Sequence, residues 1–267
     1  MGMVSMDPHP SDPPGAEKQA MQSSLSRPYT NHLLSSLGPS GFRGLNILDL
    51  GCGPELRDLG EIAQLGASCC LGIDMYDPPS ELRLRTKVQF IRADIDDYSL
   101  PLTDGSIDLV LLHNVFEHLH NPLRVLEEAG RVLRPGGRLS MITENHASLK
   151  NRIRLLLGGS VHFPLDRFLS SEDRIVKGGR AVFTGHIREY TSSELRHIVF
   201  RAGLRVESLV MHPATSKSGR DFDKLSGSRA DSVTRLSESR FLFSLYHMAE
   251  AAVPSWRYMV TVIAAKD

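Results

Sequence analysis

From residue 45 onwards, short apolar runs alternate with amphipathic stretches. Leu45 to Leu50 is apolar except at Asn46 and Asp49 and leads into Gly51-Cys52-Gly53. A run that is apolar on both faces reads as a buried parallel strand. The same reading gives strands at 69–74, 87–92, 107–112 and 138–143, with helices at 56–66, about 79–85 and 121–133 between them. Arg134-Pro135-Gly136-Gly137 is read as the stop after the last of these helices. Residues 144–186 show no clear strand. A helix at 191–202 follows, opened by Thr191-Ser192-Ser193-Glu194 with the spacing of a capping box, then a strand at 204–211. A Ser/Arg/Lys-rich stretch runs to about 236, a helix spans about 238–252 and a last strand 258–265. Repeated strand–helix units predict an α/β fold, with a doubly wound, mostly parallel, seven-stranded sheet. Pro28 to Leu37 reads as a short helix before it. Residues 1–26, rich in Pro, Ser and Met without apolar periodicity, read as a disordered leader to a domain spanning 27–267.

Composition changes this picture little but narrows the function. Lys and Arg total 31, as do Asp and Glu, so no net field draws the chain to nucleic acid. Three cysteines, Cys52, Cys69 and Cys70, form no disulfide framework and suggest a reducing, cytoplasmic setting. No signal peptide opens the chain, and the apolar run from Phe241 to Val253 is too short to span a bilayer.

The glycine turn after the first strand is where doubly wound sheets receive nucleotide-like ligands. Four motifs follow in order: Asp49-Leu50-Gly51-Cys52-Gly53; Ile73-Asp74, with Asp74 25 residues after Asp49; Ala93-Asp94-Ile95; and Ser106-Ile107-Asp108-Leu109-Val110, continuing through Glu117-His118-Leu119 to Leu133-Arg134-Pro135-Gly136-Gly137. On these motifs residues 29–211 resemble the class I S-adenosylmethionine-dependent methyltransferases of the small-molecule and glycan-pathway type. The resemblance implies S-adenosylmethionine as cofactor. Gly51, Cys52 and Gly53 would let the backbone approach its amino-acid tail and sugar. Asp49 would meet its ammonium or brace the loop. Asp74 would accept both ribose hydroxyls, and Met75 would pack on the adenine. Asp94 would accept the adenine amino group beside the Ile95 backbone, although Asp96 and Asp97 compete for that place. His113 and Asn114 would lie beneath the methyl donor.

Methyl transfer to an alcohol needs alignment and a proton acceptor. Glu144 and His146, just past the fifth strand, and His186, in Gly185-His186-Ile187-Arg188-Glu189-Tyr190-Thr191, are the candidate catalytic residues, and His186 also reads as a structural cap. Insertions at about 144–186 and 212–256 are expected to form an acceptor lid. Residues 150–180 hold seven Lys or Arg against three acids, and Leu149, Ile153, Leu156 and Leu157 are expected to share one helical side. That pattern suits an anionic or amphiphilic acceptor, including a lipid-linked sugar, and admits contact with a membrane surface. It also fits a solvated basic face on a packed helix.

The related ubiquinone-type O-methyltransferases carry an acid three residues before Glu-His, implicated in Mg²⁺ binding. Asn114 stands there, so no metal is expected. The expected function is methyl transfer to a small-molecule, lipid-linked or glycan acceptor, at a hydroxyl oxygen. A non-catalytic S-adenosylmethionine-binding regulator and a protein methyltransferase remain the alternatives.

Overall fold

The computed structural model describes residues 28–97, 99–162, 165–169, 174–177, 180–213 and 240–267. The expected leader and most of the expected second insertion lie outside these residues. Nine strands occur among the described residues: β1 (Asn46–Leu50), β2 (Cys69–Asp74), β3 (Gln89–Arg92), β4 (Ile107–His113), β5 (Leu133–Glu144), β6 (Arg174–Lys177), β7 (Arg180–Phe183), β8 (Arg205–His212) and β9 (Met259–Ala265). Seven form one sheet in the order β3-β2-β1-β4-β5-β9-β8. β3, β2, β1, β4 and β5 run parallel, and β9 is antiparallel to both its neighbours.

Helices cover both faces, as the double apolar character of the strands requires. On one face lie α1 (Pro28–Ser36) and α2 (Arg57–Ala63). There Ile47, Leu109 and Leu111 join Leu33, Leu34, Leu59 and Ile62. On the other lie α4 (Pro122–Val132), which follows α3 (Ser80–Thr86) in the chain, and later α7 (Ser192–Arg201). There Leu48, Leu50, Val110 and Leu112 meet Val125, Leu126, Leu195 and Val199. The alternation along β1 and β4 is the period-2 rule of a strand. Each leucine so buried contributes about 1.5–3 kcal/mol before entropy is charged against it. The capping box of α7 is present: Thr191 Oγ1 accepts from Glu194 N, and Glu194 Oε2 accepts from Thr191 N.

Three expectations change. β6 and β7 pair as an antiparallel hairpin within 144–186, where no strand was expected. The two four-residue runs flank Gly178-Gly179, a hairpin signal masked by their brevity. Arg134–Gly137 stands just past the helix end at Val132, as expected, but already belongs to the next strand, which was expected only from 138. It lies within β5, between the pairs Ile107–Leu133 and Leu109–Arg138, as an irregularity. Gly136 N–H and Gly137 C=O bond to Lys266 instead, so the extra backbone is satisfied on its other side. Finally, α5 (Leu149–Leu156), which precedes α6 (Leu165–Leu169), forms as expected but does not bury its leucine side. Leu156 is 85% exposed and Leu157 59%, whereas Lys150 and Asn151 are buried. Polar bonds made by Asn151, described below, fix which side faces inward. No helix among the described residues is long and apolar enough to cross a membrane.

Candidate active site

The parallel strands bring their carboxyl ends to one edge, so the motif residues that follow them converge there. Gly51 N–H donates to Ile73 C=O at 2.8 Å, and Ala93 N–H to Asp74 C=O at 3.0 Å, tying the turns after β1, β2 and β3 together. Gly51 and Gly53 have φ of +76° and +65°. A Cβ on Gly51 would stand 2.5 Å from Val115 Cγ2, so both conformation and space demand glycine.

A cavity of about 280 Å³ opens beside this turn, lined by Asp49, Gly51, Cys52, Gly53, His113 and Asn114, with Pro54, Glu55, Arg57 and Asp58. Asp49 is 3% exposed, and its Oδ1 has no hydrogen-bond partner. Burial, with Asp58 and Asp74 nearby, holds its carboxyl well above the usual range. An unsatisfied buried carboxyl oxygen facing a cavity suits a ligand that brings a positive charge. Asp58, which the sequence reading did not select, lies on the same floor. Its Oδ2 meets His113 Nδ1 at 2.8 Å, and His113 Nε2 meets Ser140 Oγ at 3.0 Å. Both ring nitrogens of His113 are therefore engaged in supporting the floor. Asn114 adopts a φ of +55° and is exposed at the mouth. Cys52 packs against Gly72, and burial pushes its thiol up, so it is no nucleophile.

Asp74, Met75, Asp94 and Ile95 do not line this cavity but sit on the adjoining edge. Asp74 accepts Gly53 N–H at 2.8 Å on Oδ2 and Tyr76 N–H at 2.9 Å on Oδ1, leaving one lone pair on each oxygen. Met75 is half-buried beside it. Of the competing acids, Asp96 turns inward and accepts His120 N–H and Asn121 N–H at the start of α4, each at 2.9 Å. Asp97 is exposed. Asp94 accepts Asp96 N–H at 2.9 Å and remains at the edge, with the Ile95 side chain in the core.

A second cluster lies at the end of β5. Asn145 makes a parallel bridge with Tyr190, and His146 N–H donates to Tyr190 C=O at 3.1 Å. The segment 186–190 is thereby laid against residues 144–146. The backbone N–H groups of Ile187 and Arg188 both donate to Glu117 C=O. Glu144 accepts the Tyr258 hydroxyl, Glu189 accepts Asn151 Nδ2 at 2.6 Å, and Glu144 and Glu189 are hydrogen-bonded to each other. Burial and the Glu144 charge push Glu189 up from the ordinary carboxylate range. The His118 and His186 rings meet edge to face at 4.8 Å. His146, His162, His186, Glu189 and Arg188 help line a cavity of about 430 Å³. Thus all three expected catalytic residues meet in one place. Arg188 pairs with Glu194 and lies 5.5 Å from the Tyr190 ring centroid, as anchors of the turn. Glu189 is not among the residues that the sequence singled out.

Glu117 is 2% exposed and accepts Thr143 Oγ1 at 2.8 Å. Burial, reinforced by the charges of Glu144 and Glu189, pushes it up to about 8. The folded chain therefore holds this proton where the unfolded chain, titrating at about 4.3, has lost it. The contribution of Glu117 to stability is full below about pH 4.3 and falls as pH rises to about 8, by at most about 1.4 kcal/mol per unit. In chelator, Glu117→Gln should flatten this decline, measured by urea unfolding at pH 5.5, 7 and 8.5. An unchanged slope would mean that Glu117 is ionised in the fold.

Residues 21–209 match the family model for a methyltransferase domain. The chain belongs to that family. S-adenosylmethionine is the methyl donor of the class I methyltransferases that share this fold. A probable S-adenosylmethionine-dependent methyltransferase of Mycolicibacterium smegmatis is 30% identical over 61% of this chain and 53% of its own length. A ubiquinone biosynthesis O-methyltransferase of Vibrio parahaemolyticus is 28% identical over 44% of this chain and 51% of its own. The chain thus spans about half the length of these curated relatives. Among solved structures, the Burkholderia thailandensis 1,6-didemethyltoxoflavin-N1-methyltransferase, with bound 1,6-didemethyltoxoflavin and S-adenosylhomocysteine, aligns with a TM-score of 0.52 at 16% identity. That alignment covers 94% of this chain and 79% of the other. At that identity the likeness is one of fold.

Proposed function

We propose that this protein transfers a methyl group from S-adenosylmethionine to a hydroxyl oxygen of a small-molecule, lipid-linked or glycan acceptor. The observation that carries the reading is the buried Asp49 Oδ1, without a partner among the described residues, beside a turn whose Gly51 admits no side chain, at the same sheet edge as the cluster around His186. Asp49 would receive the donor's ammonium. The free lone pairs of Asp74 would take the ribose hydroxyls while its bonds to Gly53 and Tyr76 hold the turn. Met75, Asp94 and the Ile95 backbone would hold the adenine, and Gly51, Cys52, Gly53 and Asn114, with the floor under His113, would surround the sulfonium.

Attack by the acceptor oxygen forms a C–O bond as the C–S bond breaks, leaving neutral S-adenosylhomocysteine, and the hydroxyl proton passes to the His186 cluster. Residues 144–186 and 212–256 would form the acceptor lid. Leu155, Leu156 and Leu157, all exposed, favour an amphiphilic acceptor and contact with a membrane surface. The balanced charge disfavours nucleic acid. Incubation with isotopically labelled methyl donor and cell extract, read by mass spectrometry, tests the reading. A labelled small or lipid-linked product is expected. A labelled protein would replace the acceptor class, and S-adenosylhomocysteine binding with no labelled product would indicate a regulator.

A further inference from the structure

The expectation of no metal rested on Asn114, which lies at the mouth of the glycine-turn cavity, away from the glutamates. The fold assembles a different donor set from two separated stretches of chain. One ligand atom each from Glu144, His186 and Glu189 lies within 4.8 Å of the others. We infer that Glu144, His186 and Glu189 form a site for one divalent cation of the manganese–zinc kind.

Three features point to a cation. First, two carboxylates and an imidazole converge closely enough to share one ion, and like charges brought together favour a cation between them. Second, Asn151 is 2% exposed and its Oδ1 has no partner, although its own Nδ2 is bonded to Glu189. Its Nδ2 also donates to His146 C=O at 3.0 Å, which fixes the amide, and a buried amide oxygen left without a partner among the described residues is costly unless a bound group, such as an ion's water, donates to it. Third, the cluster opens on a cavity that His146 and His162 also line, so an ion has a route in and further imidazoles stand beside it. Glu117, with His118 behind it, adds a further carboxyl to the same neighbourhood.

The donor types select the ion. Oxygen-only sets suit Mg²⁺ and Ca²⁺, whereas a carboxylate–imidazole set suits Mn²⁺ or Zn²⁺. Donors at about 2.0–2.2 Å from one ion lie within about 4.4 Å of each other, so small side-chain rotations close the set. The site borders the cavity of about 430 Å³ that His146 also lines. On the methyl-transfer reading, a cation there would acidify an acceptor hydroxyl, and the proton would pass to His146 rather than His186. Cation binding itself does not depend on that reading.

The test uses the full chain, stripped with chelator and dialysed. Mn²⁺ is titrated by electron paramagnetic resonance of the free ion, with S-adenosylhomocysteine affinity measured in parallel by calorimetry. One Mn²⁺ per chain is expected, displaced by Zn²⁺ more readily than by Mg²⁺. Glu189→Gln and His186→Gln should each weaken Mn²⁺ by at least about tenfold while leaving S-adenosylhomocysteine affinity within about twofold. Absence of saturable Mn²⁺ binding overturns the inference, as does undiminished binding by both variants. Loss of Mn²⁺ on Glu117→Gln but not on Glu189→Gln would place the ion on Glu117, His118 and His186 and overturn it too. A chain that holds Mn²⁺ in the expected way but no S-adenosylhomocysteine would keep this site and remove the methyltransferase reading.

Discussion

His186→Ala is expected to lower kcat by about 10²–10⁴-fold while leaving S-adenosylhomocysteine affinity within about twofold, because proton transfer contributes rate and not donor binding. The geometry behind this is specific. His186 shares a neighbourhood of 4.8 Å with Glu144 and Glu189, its ring meets His118 edge to face, and it lines the larger cavity rather than the glycine-turn cavity. Steady-state kinetics with the acceptor found by labelling, and calorimetry with S-adenosylhomocysteine, separate the two effects. If His186 takes the proton, His186→Ala also alters the pH profile of kcat. If it holds the cation, the variant instead loses Mn²⁺. A variant with unchanged kcat would return His186 to a capping role.

Asp74→Ala should weaken S-adenosylmethionine by about 30- to 1000-fold, the range of about 2–4 kcal/mol expected on loss of a charge-assisted bidentate contact. Two losses combine here. The lone pairs available to the ribose hydroxyls disappear, and the N–H groups of Gly53 and Tyr76 lose the acceptors that now hold them at 2.8 and 2.9 Å. Asp74→Asn retains one carbonyl oxygen but turns an amide donor towards N–H groups, so it should recover little. Asp94→Ala removes a single contact to the adenine and should cost less, about tenfold. Calorimetry on the three variants decides the order. Equal affinity in Asp74→Ala and the parent chain would detach Asp74 from the ribose and leave it as a brace for the turn.

The sheet and the donor end of the site were legible because their signals are local. Each parallel strand is buried on both faces and so reads as a continuous apolar run, and every motif sits where such a run ends. Parallel pairing then carries Gly51, Asp74, Asp94 and Asn114 to one edge without further information. The role of Asp96 was less visible. Asp94, Asp96 and Asp97 are chemically alike in sequence, and only the start of α4 distinguishes them by taking Asp96 as its acceptor. The β6–β7 pair was also written locally, but strands of four residues are too short for an alternation to stand out.

The sequence by itself determined the doubly wound class, the glycine turn and the acids that close the first strands, since each is written in a local run of residues. Tertiary structure alone decided that Glu189 joins Glu144 and His186, that Asp58 supports His113, and that Lys150 and Asn151 rather than the leucines face inward from α5. Those arrangements depend on segments 38 to 55 residues apart, held by the Asn145–Tyr190 bridge and by buried polar bonds. Such contacts leave no periodic trace, because the groups that make them are chosen for a partner across space and not for a neighbour along the chain.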